Sequence, residues 1–296
     1  MNMTLLDFEE CQGLTQIPDV SGMPNLEKIS FKNCKSLNTI HDSIGFLGKL
    51  NSLNAVGCSK LRSFPPLKLT SLKNLELSYC YGLESFPEVL GKMGKITKLV
   101  LEDCNIKELP FSFQNLTELQ TLQLRFCPML RLPSSIVMMP KLAEIIVWES
   151  KGWLFPKQVE VEEKVSSMVS SNVDCLLLPR CKLSDDFLPI ALAWFANVKE
   201  LDLSWNNFTV LPECISNCHF LSKLTLDGCH SLREIRGIPP NIQLLLAVDC
   251  KSFTSSCRST LLNQVLSCFI FIIVLDSMMI VMTVYAMVLN LLITCD

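Results

Sequence analysis

Apolar and polar residues alternate along this chain in short bursts that recur at a nearly fixed distance. Each burst holds two apolar positions separated by one variable residue, then two more variable residues, then Cys or Asn. ISFKNC ends at Cys34, LNAVGC at Cys58, LELSYC at Cys80, LVLEDC at Cys104 and LQLRFC at Cys127. The phrase returns as LDFEEC at Cys11, LLLPRC at Cys181, LDLSWN at Asn206, LTLDGC at Cys229 and LLAVDC at Cys250, with a weaker unit, IIVWES, at Ser150. Successive closing residues lie 23, 24, 22, 24, 23, 23, 31, 25, 23 and 21 positions apart. Period-two alternation over so few residues predicts a short strand whose flanking apolar side chains, Leu75 and Leu77 for example, point to one side. Eleven such units in register predict a stack in which each coil closes the core of the next.

A second phrase follows each strand, often L-x-x-[LIF]-P, as at Leu14–Pro18, Leu61–Pro65, Leu83–Pro87, Ile106–Pro110 and Phe208–Pro212. Proline cannot donate to a ladder, so it suits an irregular outer segment. Apolar stretches such as Ser43–Leu50 and Ser112–Leu119 then predict 3₁₀ or single-turn helices leading back to the next strand. The spacing and the closing Cys or Asn are those of leucine-rich repeats. The expected fold is therefore an α/β solenoid: a leucine-rich-repeat horseshoe with a parallel β-sheet on the concave face and mostly irregular or short helical convex segments. It fills residues 1–264, with an irregular insertion near 151–172, of which the polar run 157–172 reads as an exposed loop.

The spacing also interprets the cysteines. Nine of the fifteen occupy the closing position, one per repeat. They are expected to be buried free thiols, not disulfide partners, and the resemblance to leucine-rich repeats implies that they help satisfy turn backbone. Met1 to Cys11 lacks a basic segment followed by an apolar run, so no secretory signal is read there and the repeats are expected to stay in the cytosol. A formal net charge of -3 gives no basic field for nucleic acid. The first repeat begins almost at Met1, so a poorly covered N-terminal edge is expected.

Composition changes abruptly at residue 265. All 26 Lys and Arg precede it, and 24 of the 29 residues in 265–293 are hydrophobic. This length suits a transmembrane helix over 277–293, or over 265–287 with Asp276 near its middle. Lys251 and Arg258 precede the segment and no base follows it, which would leave the repeats cytosolic as a tail-anchored protein. The same tail also reads as the product of an altered reading frame.

The phrases LTQIPDVSGMPNLEKISFKNCKSL (14–37), LPSSIVMMPKL (132–142) and NVKELDLSWNNFTVLPECISNCHFLSKLTLDGCHSLREIRGIPPNIQLLLAVDC (197–250) resemble the repeats of plant TIR-NB-LRR disease-resistance proteins. The resemblance runs from about residue 3 to 264 and implies a receptor region that helps sense a pathogen effector. No G-x-x-x-x-G-K-[ST] loop occurs, GKMGK (91–95) having the wrong spacing, and no TIR domain is read. The family's nucleotide chemistry is therefore not carried over.

The variable strand positions are expected to face solvent on the concave side, free of the fold's demands. Their large side chains are Lys32, Glu76, Tyr79, Glu102, Asp103, Arg125, Phe126, Trp148, Trp205 and Asp227. These are the candidate contacts for an effector, a guarded host protein or a partner NB-LRR receptor. Cys214, Cys218, His219, Cys229 and His230 have ligand chemistry, but the repeat explains Cys229 and places Cys214 and Cys218 on the outer return. Neither metal, cofactor nor catalytic constellation is expected. The alternatives are the substrate-binding arm of a ubiquitin ligase, which would need an F-box not found here, and a truncated non-functional receptor fragment.

Overall fold

The computed structural model describes residues 2–127, 130–150, 153–154, 171–259, 261 and 271–273. It divides into two compact units, Met1–Val173 and Asp174–Asp296. The sequence suggested one continuous array over 1–264; the division falls just after the irregular stretch 151–172, where the repeat step is longest. The loop expected at 157–172 lies outside the described residues, apart from its last two. There Ser171 is buried and its Oγ accepts the Val173 N–H, while Asn172 donates to the Met139 carbonyl at 3.3 Å.

Among the described residues every repeat contributes one inner strand. In the first unit these are β1 (Leu5–Asp7), β2 (Lys28–Ser30), β3 (Ser52–Asn54), β4 (Asn74–Glu76), β5 (Lys98–Glu102), β6 (Thr121–Arg125) and β7 (Glu144–Trp148). The second unit holds β8 (Cys175–Leu177), β9 (Glu200–Asp202), β10 (Lys223–Thr225) and β11 (Leu244–Leu246). Among the described residues the strands pair parallel and in repeat register: Leu6 faces Ile29, Ile29 faces Leu53, and Leu53 faces Leu75. In the second unit Leu176, Leu201, Leu224 and Leu245 align in the same way. The ladder changes between β4 and β5, where the Ser78 hydroxyl accepts the Glu102 N–H at 3.2 Å while the Tyr79 N–H still reaches the Glu102 carbonyl at 2.7 Å.

The paired apolar positions fill the interior. Leu53, Leu77, Leu99, Leu101, Leu122 and Leu124 are fully buried, and Phe113 meets Phe86 edge-on with ring centroids 5.3 Å apart. Parallel strands require a covered crossover on each turn. The returns supply it with 3₁₀ helices at Asp42–Phe46, Phe111–Asn115, Ser134–Met138 and Glu213–Asn217. The last three each follow a proline whose φ is between −70° and −72°, which starts the turn and needs no amide donor. The 25-residue step between Cys181 and Asn206 has room for a true α-helix, α1 (Phe187–Trp194), with Pro189 tolerated in its first turn. Outer segments expected to be irregular form two-residue parallel strands instead, Gln16–Ile17 against Thr39–Ile40 and Val210–Leu211 against Glu234–Ile235. Gln16–Ile17 and Val210–Leu211 each stop at the following proline.

No helix among the described residues is long and apolar enough to cross a membrane. Most of 265–293 lies outside the described residues. Its one described piece, β12 (Phe271–Ile273), is a strand parallel to β11, with Leu245 facing Ile272. Over these three residues the backbone is a strand rather than part of the helix expected across 265–287, and the alternative span 277–293 lies outside the described residues.

Candidate protein-interaction surface

The geometry of one rung explains which side chains the fold uses and which it leaves over. The residue just before each closing position has a left-handed backbone in all eleven repeats: Glu10, Asn33, Gly57, Tyr79, Asp103, Phe126, Glu149, Arg180, Trp205, Gly228 and Asp249, with φ between 51° and 76°. Only two are glycine, although this region costs other residues about 1–2 kcal/mol. A repeated backbone bond accompanies the strain. Asn33 N–H donates to the Val56 carbonyl, Gly57 to Ser78, Asp103 to Arg125, Phe126 to Trp148 and Trp205 to Asp227, all at 2.7–2.9 Å and each to the following rung.

The closing side chain binds in the opposite direction. The Cys34 thiol donates to the Phe8 carbonyl at 2.9 Å, Cys58 to Phe31 at 3.2 Å, Cys80 to Ala55 at 3.1 Å, Cys104 to Leu77 at 3.1 Å and Cys229 to Leu203 at 3.2 Å. Each acceptor is the second apolar residue of the preceding strand phrase. Asn206 does more: its Nδ2 donates to Leu178 O at 2.9 Å and Leu203 O at 2.8 Å, and its Oδ1 accepts the Leu183 N–H at 3.0 Å. Burial pushes the Cys58, Cys127, Cys229 and Cys250 thiols up to about 12 and Cys104 to about 11, and raises Cys80 further. These thiols stay protonated donors and are no nucleophiles. Two rungs depart from the expectation of a buried, bonded closing residue. Cys11 is exposed, and Leu5 on β1 is 55% exposed. Ser150 is buried, yet its Oγ has no hydrogen-bond partner among the described residues.

The ten candidate contacts separate into three positions rather than one strand face. Glu76 alone stands between the two apolar residues of its phrase. Glu102, Arg125 and Trp148 end strands β5, β6 and β7, aligned in register, while Lys32 and Asp227 hold the same place just beyond the shorter β2 and β10. Tyr79, Asp103, Phe126 and Trp205 are not strand residues; they occupy the left-handed turn. The strand alternation ends there because the chain must turn inward to bury the next Cys or Asn. Trp148 and Phe126 remain 45% and 48% exposed. Lys32 pairs with Glu9 at 2.6 Å, and this contact raises its ammonium above the usual range. Asp227 accepts the Val248 N–H at 2.8 Å, but burial outweighs that bond and holds its carboxyl above the ordinary range.

Sequence reasoning also passed over the central strand column. Val100, Gln123 and Ile146 lie side by side across β5–β7, each half-buried. Selecting large or charged residues hid them, though the position between the two apolar residues was visible in the phrase itself. Nor is this column free of the fold throughout. Asp7, Asn54 and Asp202 each accept, at 2.8–2.9 Å, the N–H two residues ahead, so a short oxygen-bearing side chain shapes those strand ends.

In the second unit the turn column is already occupied by its own chemistry. The Arg180 guanidinium carbon lies 4.9 Å from the centroid of the Trp205 ring, and His230 meets that ring edge-on at 5.5 Å. His230 Nδ1 also lies 2.9 Å from the Asp249 carbonyl oxygen. Among the described residues no group of three or more His, Cys, Asp or Glu is placed to hold a metal ion.

These columns of exposed side chains on a repeated scaffold can be set beside known proteins. Residues 68–266 match the family model described as disease resistance protein RPS4B-like, leucine-rich repeats. TMV resistance protein N of Nicotiana glutinosa is 29% identical over 289 residues, covering 83% of this chain and 25% of that protein. The Arabidopsis thaliana protein SUPPRESSOR OF npr1-1, CONSTITUTIVE 1 is 32% identical over 261 residues, covering 80% of this chain and 17% of its own length. The chain thus spans a quarter or less of these relatives. The leucine-rich repeat domain of the type III effector XopL superimposes with a TM-score of 0.52 at 20% identity, covering 82% of this chain and 76% of that one, and it supports the fold alone. With the family model matching well over half of the sequence, the chain belongs to the RPS4B-like leucine-rich repeats of disease resistance proteins.

Proposed function

We propose that the chain is a non-catalytic recognition module of plant immunity that binds a protein partner through its strand face and turn edge. The partner is a pathogen effector, a guarded host protein or a full-length receptor. One observation carries this reading: β5–β7 present Val100, Ile146 and Trp148, with Phe126 in the adjoining turn, outside the buried core. Aromatic anchors ringed by charge are the composition of interface hot spots, and the fold gains nothing from leaving them in water. The thirteen described cysteines are all free thiols, which suits work in a reducing cytosol.

The test compares partner recovery from plant tissue by the wild-type chain, by Phe126→Ala with Trp148→Ala, and by Phe220→Ala on the outer return. A hot spot contributes about 2 kcal/mol or more, so the double replacement is expected to weaken a genuine partner at least about thirtyfold. Phe220, 60% exposed on the outer side, should be replaceable without loss. A partner lost with Phe220→Ala and retained by the double variant would contradict the proposal.

A further inference from the structure

The turn positions form a column with one residue per rung, and the second unit shows what such a column can hold. There Trp205 carries the guanidinium of Arg180 from the preceding rung over its ring. In the first unit Phe126 holds the equivalent turn position, with Asp103 on the rung before and Glu149 on the rung after. A carboxylate thus stands where the second unit supplies arginine. Phe126 is about half exposed. Together with Tyr81, Asn105, Asp103 and Glu149 it lines an open concavity of about 490 Å³. The Tyr81 hydroxyl donates to Asp103 Oδ2 at 3.0 Å, which fixes the carboxylate against the groove wall and leaves its other oxygen as an acceptor.

We propose that this groove takes an arginine side chain of a protein partner, its guanidinium stacked against Phe126 and hydrogen-bonded to Asp103. The inference rests on the recognition reading and names the chemistry of one subsite within it. An aromatic face and a fixed carboxylate on adjacent rungs, about one strand spacing of 4.8 Å apart, match a flat cation that can stack and donate at once. Lysine offers a point charge without the planar fork, so arginine fits better. Nor does the groove suit an anion, because its two charged lining residues are both acidic.

The experiment titrates the full chain with acetyl-Gly-Arg-Gly-amide, and with the same peptide carrying citrulline, while following backbone amide NMR signals. Citrulline keeps the shape and loses the charge. The expected result is a saturable shift of the Asp103, Cys104 and Phe126 amides with the arginine peptide, at least about tenfold weaker with citrulline. Asp103→Asn, which preserves size, and Phe126→Leu, which removes the aromatic face but stays apolar, should each weaken the arginine response severalfold. Equal responses to the two peptides, or Asp103→Asn titrating like wild type, would overturn the inference. A partner still lost on Phe126→Ala with Trp148→Ala would in that event leave the recognition reading intact, so the two fail separately.

Discussion

Replacing Asn206 tests the rung geometry at the point where it is most heavily bonded. Its side chain is 2% exposed and hydrogen-bonds four buried backbone groups, Leu178 O, Leu203 O, Ser204 O and Leu183 N–H. The Leu203 carbonyl also accepts the Cys229 thiol and the Ser204 carbonyl the Arg180 N–H, so both keep a partner if Asn206 is lost. Asn206→Ala therefore strands the Leu178 carbonyl and the Leu183 amide. Each buried polar group left unpaired costs about 1–3 kcal/mol, giving an expected loss of about 2–6 kcal/mol. Asn206→Cys restores the donor used in other rungs and strands only Leu183 N–H, so about half of that loss should return. Urea unfolding gives the energies, and hydrogen exchange at the Leu183 amide gives the mechanism: both variants should lose protection there. An Asn206→Ala cost below about 0.5 kcal/mol, the range of an ordinary surface change, would show that these bonds do not hold the rung. So would Asn206→Cys proving as damaging as Asn206→Ala.

Further outcomes follow from the same geometry. Brief alkylation of the native chain should label Cys11 well before Cys58, Cys80 or Cys127, read by peptide mass spectrometry, because only the first is exposed. The Cys58, Cys127, Cys229 and Cys250 thiols titrate near 12 when folded, against about 8.5 when unfolded. Their contribution to stability is thus complete below about pH 8.5 and is lost progressively as pH rises toward 12, by about 1.4 kcal/mol per thiol per pH unit. Denaturation midpoints measured from pH 7 to 10.5 should fall accordingly. Gly228→Ala should destabilise by about 1–3 kcal/mol, since an added Cβ at φ +67° would lie 2.5 Å from the Trp205 ring. Gly57→Ala should cost less, because there the added carbon meets the movable Asn33 side-chain oxygen.

Much of this architecture was legible because a repeat states its own register. Leu53, Leu77 and Leu124 were placed in the core by spacing alone, as were the thiols of Cys34, Cys80 and Cys104. What spacing could not give was the point at which strand becomes turn. Tyr79, Asp103, Phe126 and Trp205 stand just past the alternation, each the second of two successive variable residues; the chain must reverse there to bury the next residue, and the left-handed backbone that does so is mostly filled by residues other than glycine. Without glycine there was no local mark. The acceptor roles of Asp7, Asn54 and Asp202 were likewise hidden, because an aspartate on a strand looks the same whether it serves solvent or the amide two residues ahead. The strand at Phe271–Ile273 was missed for another reason: a long apolar run satisfies both a spanning helix and a buried strand, and only the edge of β11 distinguishes them.

Recognition is proposed to use the strand face and turn edge rather than the outer returns. A photo-crosslinking amino acid placed at Gln123 in one preparation and at Phe220 in another measures this most directly in plant extract. A discrete protein adduct is expected from position 123 and none from position 220; an adduct confined to position 220 would place recognition on the outer returns instead.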